Sequence, residues 1–352
     1  MNQAQARHAL YYLALAQQSS DDWRRIESEL PQIRWAWEWV TRQPGGERLV
    51  LEYIAALIQF FEQRGLWREE AAWAKRGLVV SQQLGHTQVE GTLLNSLGSC
   101  YSALGQFVEA LRYYEQALPK RRACGDRMGE ATTLNNIAGA FYKQGLFDQA
   151  LPLYEQALAV LREIEDIVHS AGAMNNIALV YEGLGQLQQA LGTYEQVLDI
   201  FREAGDLSGE AKVLHNIGAV HVLLDQPHQA LAYFQQAHDV FRQLGDRASE
   251  ATTLNNLGLV SQSLGVPDQA DDYYRTAMLL RREIGDRSGE AITLTNLALL
   301  AEQRGRLPEA WRLLEQVIAI EAEIQHPDLE LTRTKLARIQ QEMQAQDESL
   351  RS

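Results

Sequence analysis

Self-similarity at an offset of 40 residues constrains this 352-residue chain more than any other feature. The stretch LNSLGSCYSALG begins at Leu94, and LNNIAGAFYKQG, MNNIALVYEGLG, HNIGAVHVLLD, LNNLGLVSQSLG and TNLALLAEQRG follow in the same register. The alignment covers most of residues 91–326. A repeated unit of this size cannot bury its apolar face alone, so stability requires neighbouring units to stack. One small position is held by Gly98, Ala138, Ala178, Gly218, Gly258 and Ala298, and a second by Ala110, Ala150, Ala190, Ala230, Ala270 and Ala310. Between them, Gly105, Gly145, Gly185, Gly265 and Gly305 offer a residue able to take positive φ, with Asp225 as the exception. A second break reads Gly-Asp at 125–126, 205–206, 245–246 and 285–286, where Gly stops one helix and Asp can cap the next. Each unit is therefore predicted to be helix, tight turn, helix, in the register 91–126, 131–165, 171–205, 211–245, 251–285 and 291–325.

The period alone also fits HEAT, armadillo and WD40 repeats. Helical apolar spacing excludes the four strands of a WD40 unit. Leu134, Ile137, Ala138 and Phe141 form one helical face, and Ala150, Tyr154 and Ala157 form the face of its partner. That order of large, small and aromatic positions resembles the tetratricopeptide (TPR) repeat. The longer unit, with RMGE at 127–130, RASE at 247–250 and RSGE at 287–290, is similar to the repeats of Pins/LGN adaptors, kinesin light chains and bacterial regulators. The resemblance implies an all-α right-handed superhelix, or α-solenoid, with a short N-terminal helical region and a C-terminal capping helix. Two departures are predicted to loosen the packing: residues 166–170 lack the Arg and Glu, and His221 replaces the aromatic of Tyr101, Phe141 and Tyr181.

Composition agrees with an all-α chain, since prolines number only eight while Ala, Leu, Gln and Glu abound. A net charge of −14 repels a phosphate backbone, so no nucleic acid is expected as a direct partner. Cys100 and Cys124 are too few for a disulfide framework and point to a reducing compartment. No signal-peptide pattern and no long apolar run occurs, so a cytoplasmic location without membrane association is expected.

The two ends differ from the repeats. Six of seven tryptophans lie before residue 74. Residues 3–18 read as a helix, Ser20 or Asp21 as the cap of the next, and Pro31 as the opening of a third that ends at Pro44-Gly45-Gly46. Residues 1–48 are thus a helical region. The solenoid spans 49–326 with a degenerate unit at 49–90, and 327–352 form a capping helix over 328–346 with a frayed tail. HALYYLALA, WRRIESELPQIRWAWEWV and FFEQRGLWREEAAWAKRGL are similar to the segment of bacterial STAND regulators that joins an NB-ARC-type ATPase to a TPR sensor. No GxxxxGK[ST] motif is present in these residues, so any ATPase module would lie elsewhere in a full-length protein.

The repeated Asn pair raises a functional question, because Asn is a mediocre helix former. At about 100° per residue, Asn136, Asn176, Asn216, Asn256 and Asn296 fall opposite the packed stripe of each first helix. In TPR superhelices that face lines the inner wall, and the resemblance implies that such Asn residues hold the main chain of a bound peptide. Asn95, Asn135, Asn175 and Asn255 lie at its edge, either tying neighbouring units or touching ligand. The same wall is predicted to contain Lys143, Lys212, Leu179, Leu223 and Leu259 and no acid, which suits a peptide with apolar anchors and an acidic residue. Arg122, Arg162, Arg202, Arg242 and Arg282 are read as complements to helix dipoles. No catalytic motif, cofactor signature or metal-ligand cluster is found, and His215 and His221 lie on different helical faces. A non-enzymatic protein- or peptide-binding role remains, either as the sensor of a STAND-type regulator or as a stand-alone adaptor.

Overall fold

A computed structural model describes residues 3–18 and 23–351, with side chains described to residue 346. Among them are seventeen helices and no strand, α1 (Gln3–Gln18) to α17 (Leu329–Arg351). The chain divides into two compact units, Met1–Leu184 and Gly185–Ser352. The first contains α1, α2 (Trp23–Val40), α3 (Glu47–Arg64), α4 (Trp67–Leu84), α5 (Thr87–Ala103), α6 (Phe107–Ala123), α7 (Arg127–Lys143), α8 (Phe147–Glu163) and α9 (Ile167–Gly183). The second contains α10 (Leu187–Ala204), α11 (Leu207–Leu223), α12 (Pro227–Leu244), α13 (Arg247–Ser263), α14 (Pro267–Ile284), α15 (Arg287–Gln303), α16 (Leu307–Glu323) and α17. No described helix is long and apolar enough to cross a membrane.

In three of the helix pairs a ring sits where a side chain is missing. A Cβ added at Gly98 would lie 2.4 Å from the Tyr114 ring, at Gly218 2.8 Å from Phe234, and at Gly258 2.5 Å from Tyr274. All six alanines of the second small position are fully buried. This close approach lets adjacent helices pack at interior density.

The ends of the helices follow the predicted turn chemistry. Asp126, Asp166, Asp206, Asp246 and Asp286 each accept a hydrogen bond from the backbone N–H three residues on, at 2.8–3.1 Å. Glu165, Asp225 and Gln325 adopt φ of 55–56° in place of glycine. In the two irregular units the first helices, α9 and α11, are 17 residues long like α7. Asp166 retains its cap, and buried His221 stacks on Tyr233 at 5.2 Å.

The arginine ladder does more than offset helix dipoles. Arg122 and Arg202 donate to Glu130 and Glu210 in the first turn of the following helix, at 2.7 and 2.9 Å, and Arg282 likewise pairs with Glu290. Glu130 and Glu290 are buried, so these pairs tie consecutive helices with charge-assisted bonds.

The N-terminal reading needs one correction. Pro31 lies inside a single continuous α2 rather than opening a third helix. Its ring is on the exposed face, where the carbonyl it leaves unpaired can be hydrated, while Ile26, Leu30, Ile33 and Trp37 keep an unbroken buried stripe. The expected cap at Ser20 or Asp21 lies outside the described residues. Trp37 stacks on Trp73 at 4.0 Å, and the Tyr53 hydroxyl donates to the Ala9 carbonyl at 2.6 Å, fastening α1 and α2 to α3 and α4. At the other end α17 continues to Arg351, beyond the expected limit of 346, and buries Ile339. Arg338 pairs there with Glu302 and Glu342 at 2.8 and 2.9 Å.

Glu70 stands where the later repeats have alanine. It is 2% exposed, accepts from the Ser96 hydroxyl at 2.6 Å, and leaves Oε2 without a partner. Burial raises its pKa against the opposing bonds from Ser96 and Cys100. The folded state therefore holds this proton more tightly than the unfolded chain, and stability falls as pH rises from the ordinary carboxylate range through the raised value. Glu70→Gln should remove that fall and exceed the wild type by about 1–3 kcal/mol above it, in urea titrations across pH. Parallel pH profiles would contradict the placement of this carboxyl.

Candidate functional site

Within each compact unit, Asn side chains on the first helices of consecutive repeats bond to one another. In the first unit Asn136 Nδ2 donates to Asn95 Oδ1 at 3.2 Å, and Asn176 Nδ2 to Asn135 Oδ1 at 2.9 Å. In the second unit Asn296 Nδ2 donates to Asn255 Oδ1 at 3.0 Å. The edge residues thus act as acceptors between repeats, one of the two roles the sequence left open for them. Asn136, Asn176, Asn256 and Asn296 are half-buried, and their Oδ1 atoms accept no hydrogen bond among the described residues. Each has spent one donor on its neighbour and keeps an acceptor for something else. Asn216 is half-buried on α11.

The other residues read from sequence divide between the two units. Lys143 and Leu179 lie in the first, the lysine exposed and the leucine half-buried. Lys212, Leu223 and Leu259 lie in the second. There Leu223 is 57% exposed, Leu259 45%, and beside them on α15 Ile292 and Leu299 are 53% and 42% exposed. Lys143 and Lys212 form no ion pair among the described residues. The second unit therefore offers an apolar strip flanked by amide acceptors and an unpaired cation.

His215 breaks the edge row, occupying the place of Asn95, Asn135, Asn175 and Asn255. Its Nδ1 lies 2.9 Å from Thr253 Oγ1, which itself donates to the Ser249 carbonyl at 2.8 Å. With the hydroxyl proton committed, Nδ1 must be the donor. Nε2 then accepts from Asn256 Nδ2 at 3.4 Å. The ring lies 5.2 Å from Phe234, and burial pushes its pKa down to about 4. A pocket of about 250 Å³ opens beside it, lined by Lys212, His215, Asn216, Phe241, Ala248, Ser249 and Thr252. Neither the pocket nor the role of His215 was read from the sequence, although HN in place of NN at 215–216 was the visible signal.

A neutral, half-buried histidine makes stability depend on acid. The unfolded chain binds this proton near its ordinary value of about 6.5, the folded chain only near 4, so stability present above 6.5 is lost as pH falls toward 4. The loss amounts to at most about 3 kcal/mol. His215→Asn restores the row's usual acceptor and should flatten that part of the curve while leaving stability near neutral pH within about 1 kcal/mol. An unchanged acid limb in denaturant titrations would refute the assigned tautomer and burial.

Comparison with known proteins places this geometry in context. The tetratricopeptide repeat model matches residues 89–163, 169–243 and 249–323. No curated protein matches the chain in sequence. Among solved structures, the apo quorum sensor NprR from B. thuringiensis superposes with a TM-score of 0.67 at 17% identity, over 90% of this chain and 87% of its own. A Rap protein complexed with Competence and Sporulation Factor gives 0.61 at 16% identity, over 97% and 99%. BtubC (BKLC) from P. vanneervenii gives 0.57 at 22% identity, over 61% and 91%. At these identities the structural likeness speaks to the fold. The three matched segments cover more than half of the chain, with the small positions, left-handed turns and aspartate caps in register through them, and the chain belongs to the tetratricopeptide repeat family.

Proposed function

We propose that the chain is a non-catalytic scaffold that holds a protein segment or peptide along the first helices of its repeats. The observation that carries this reading is the strip of Leu223, Leu259, Ile292 and Leu299, each at least 42% exposed, running beside Asn256 and Asn296 with their unused acceptors. Apolar side chains of a ligand would lie on the leucines while its backbone N–H groups donate to the amides, giving affinity through the main chain and selectivity through the anchors. Lys212 favours an acidic residue nearby. The fold it shares with the quorum sensor NprR, and with a Rap protein complexed with Competence and Sporulation Factor, supports a signalling peptide as the ligand.

Within this reading the chain serves as the sensor arm of a STAND-type regulator, supported by the sequence of its N-terminal helices. The nucleotide chemistry would then reside in another module, and this chain should show no saturable binding of ATP by calorimetry.

The groove is tested on its apolar residues, because the amides also join the repeats. Peptides selected against the wild-type chain should bind Leu259→Ser/Leu299→Ser at least about tenfold more weakly, a loss of about 1.4 kcal/mol or more. The melting temperature should stay within a few degrees, as both side chains are already partly in water, at 45% and 42% exposed. Selected peptides that bind the double variant as tightly as wild type would place recognition elsewhere.

A further inference from the structure

The pocket beside His215 differs in chemistry from the rest of the wall. Its polar lining is the Lys212 ammonium, the Ser249 hydroxyl, the Thr252 hydroxyl, which already donates to the Ala248 carbonyl at 3.0 Å, the Asn216 amide and the His215 ring. No carboxylate lines it. Of the lining residues α12 contributes the ring of Phe241 and α13 contributes Ala248, Ser249 and Thr252, while Phe234, Thr253 and Asn256 touch His215 itself. On the elements packed around α11, Glu250 pairs with Arg247 and lies 3.8 Å from His238, Arg202 of α10 pairs with Glu210, and His221 lies 2.7 Å from Gln226. Lys212 is the one charged group lining the pocket.

The weakest restraint on the imidazole is the 3.4 Å contact from Asn256 to Nε2. A protonated ring would present two donors, keeping the bond to Thr253 but facing the Asn256 amide with a second N–H. The Asn256 amide can meet it only by turning its Oδ1 inward and giving up its present donor role, whereas an acceptor in the pocket needs no such turn. A carboxylate entering beside Lys212 is such an acceptor, and its charge offsets the desolvation that keeps the empty site neutral.

We propose that this pocket is a carboxylate subsite of the peptide-binding wall, in which His215 Nε2 takes up a proton from solvent when an acidic side chain of the ligand enters beside Lys212. The proposal rests on the scaffold reading above and adds the ligand's chemistry at one position, together with a direction for its pH dependence. Ligand capture consumes one proton, so affinity grows on acidification. If the bound imidazole returns to its ordinary titration range, the gain between about pH 7.5 and 5.5 is roughly tenfold.

The experiment follows the His215 ring by NMR in chain labelled with ¹³C-histidine, the resonance assigned by its loss in His215→Asn. The probe is N-acetylglutamate α-amide, which carries only the side-chain carboxylate, and its control is N-acetylglutamine amide. Without probe, His215 should titrate below about pH 5. With the glutamate probe at up to about 50 mM, its midpoint should rise by a unit or more, and the glutamine control should leave it in place. Lys212→Ala should abolish the rise. His215→Asn should remove the pH dependence of probe affinity. A midpoint unmoved by the glutamate probe, or moved equally by the control, overturns the proposal. The probe is too short to span the wall, so its failure leaves the scaffold reading standing. Failure of peptide selection alongside a positive probe would instead remove the wall and keep the subsite.

Discussion

A ring pressed against a helix that lacks a side chain sets the geometry on which the remaining structure depends. At Gly98, Gly218 and Gly258 the aromatic residue of the partner helix occupies the space of an absent β-carbon, so the two helices approach closely at one fixed height. Fixing that height fixes the turn, because the backbone then has only a few residues in which to reverse. The left-handed residue at 105, 145, 185, 225, 265 and 305 meets this demand. Asp225 shows that the demand comes from packing and not from glycine: a non-glycine residue is held at φ 56° in the same place.

With each pair fixed, repeats join through two polar systems on different faces. Arginines near the ends of second helices reach buried first-turn glutamates of the next repeat, as in Arg122 to Glu130 and Arg282 to Glu290. Amide-to-amide bonds join the first helices, as in Asn176 to Asn135 and Asn296 to Asn255. Both are directional, so they set register as well as adding stability. A solenoid is a chain of nearest-neighbour interfaces, and a residue that recurs every 40 positions acts at each of them.

Most of this was legible because repetition multiplies weak signals. One Gly-Asp pair says little, but four in register announced a helix stop and a cap, and Asp126, Asp206, Asp246 and Asp286 cap as read. The same method failed where the repeat does. Pro31 was taken for a helix start because no neighbouring unit showed that its ring would face water on a continuing helix. Glu70 in an alanine position carries no such signal, because the first unit aligns loosely and the meaning of the carboxyl depends on burial that periodicity does not report. For the wall, the sequence placed the amides and leucines on one face, but not that each Asn spends a donor on its neighbour. Bond partners across 41 residues are a property of stacking, which a single helical wheel does not contain.

That double use of the amides changes how the wall can diverge. On the proposed function, an Asn that both joins repeats and offers an acceptor cannot be replaced to alter ligand preference without loosening the junction. The proposed selectivity is then freer to change at partly exposed neighbours such as Leu223, Leu259 and Leu299. His215 is the informative exception. It keeps the junction, donating to Thr253 and accepting from Asn256, while replacing a group of fixed charge with one whose charge can change. Substituting within the joining row at one repeat leaves every other junction intact, since each repeat contacts only its neighbours. The repeat architecture thus confines a titratable group to a single step of the wall.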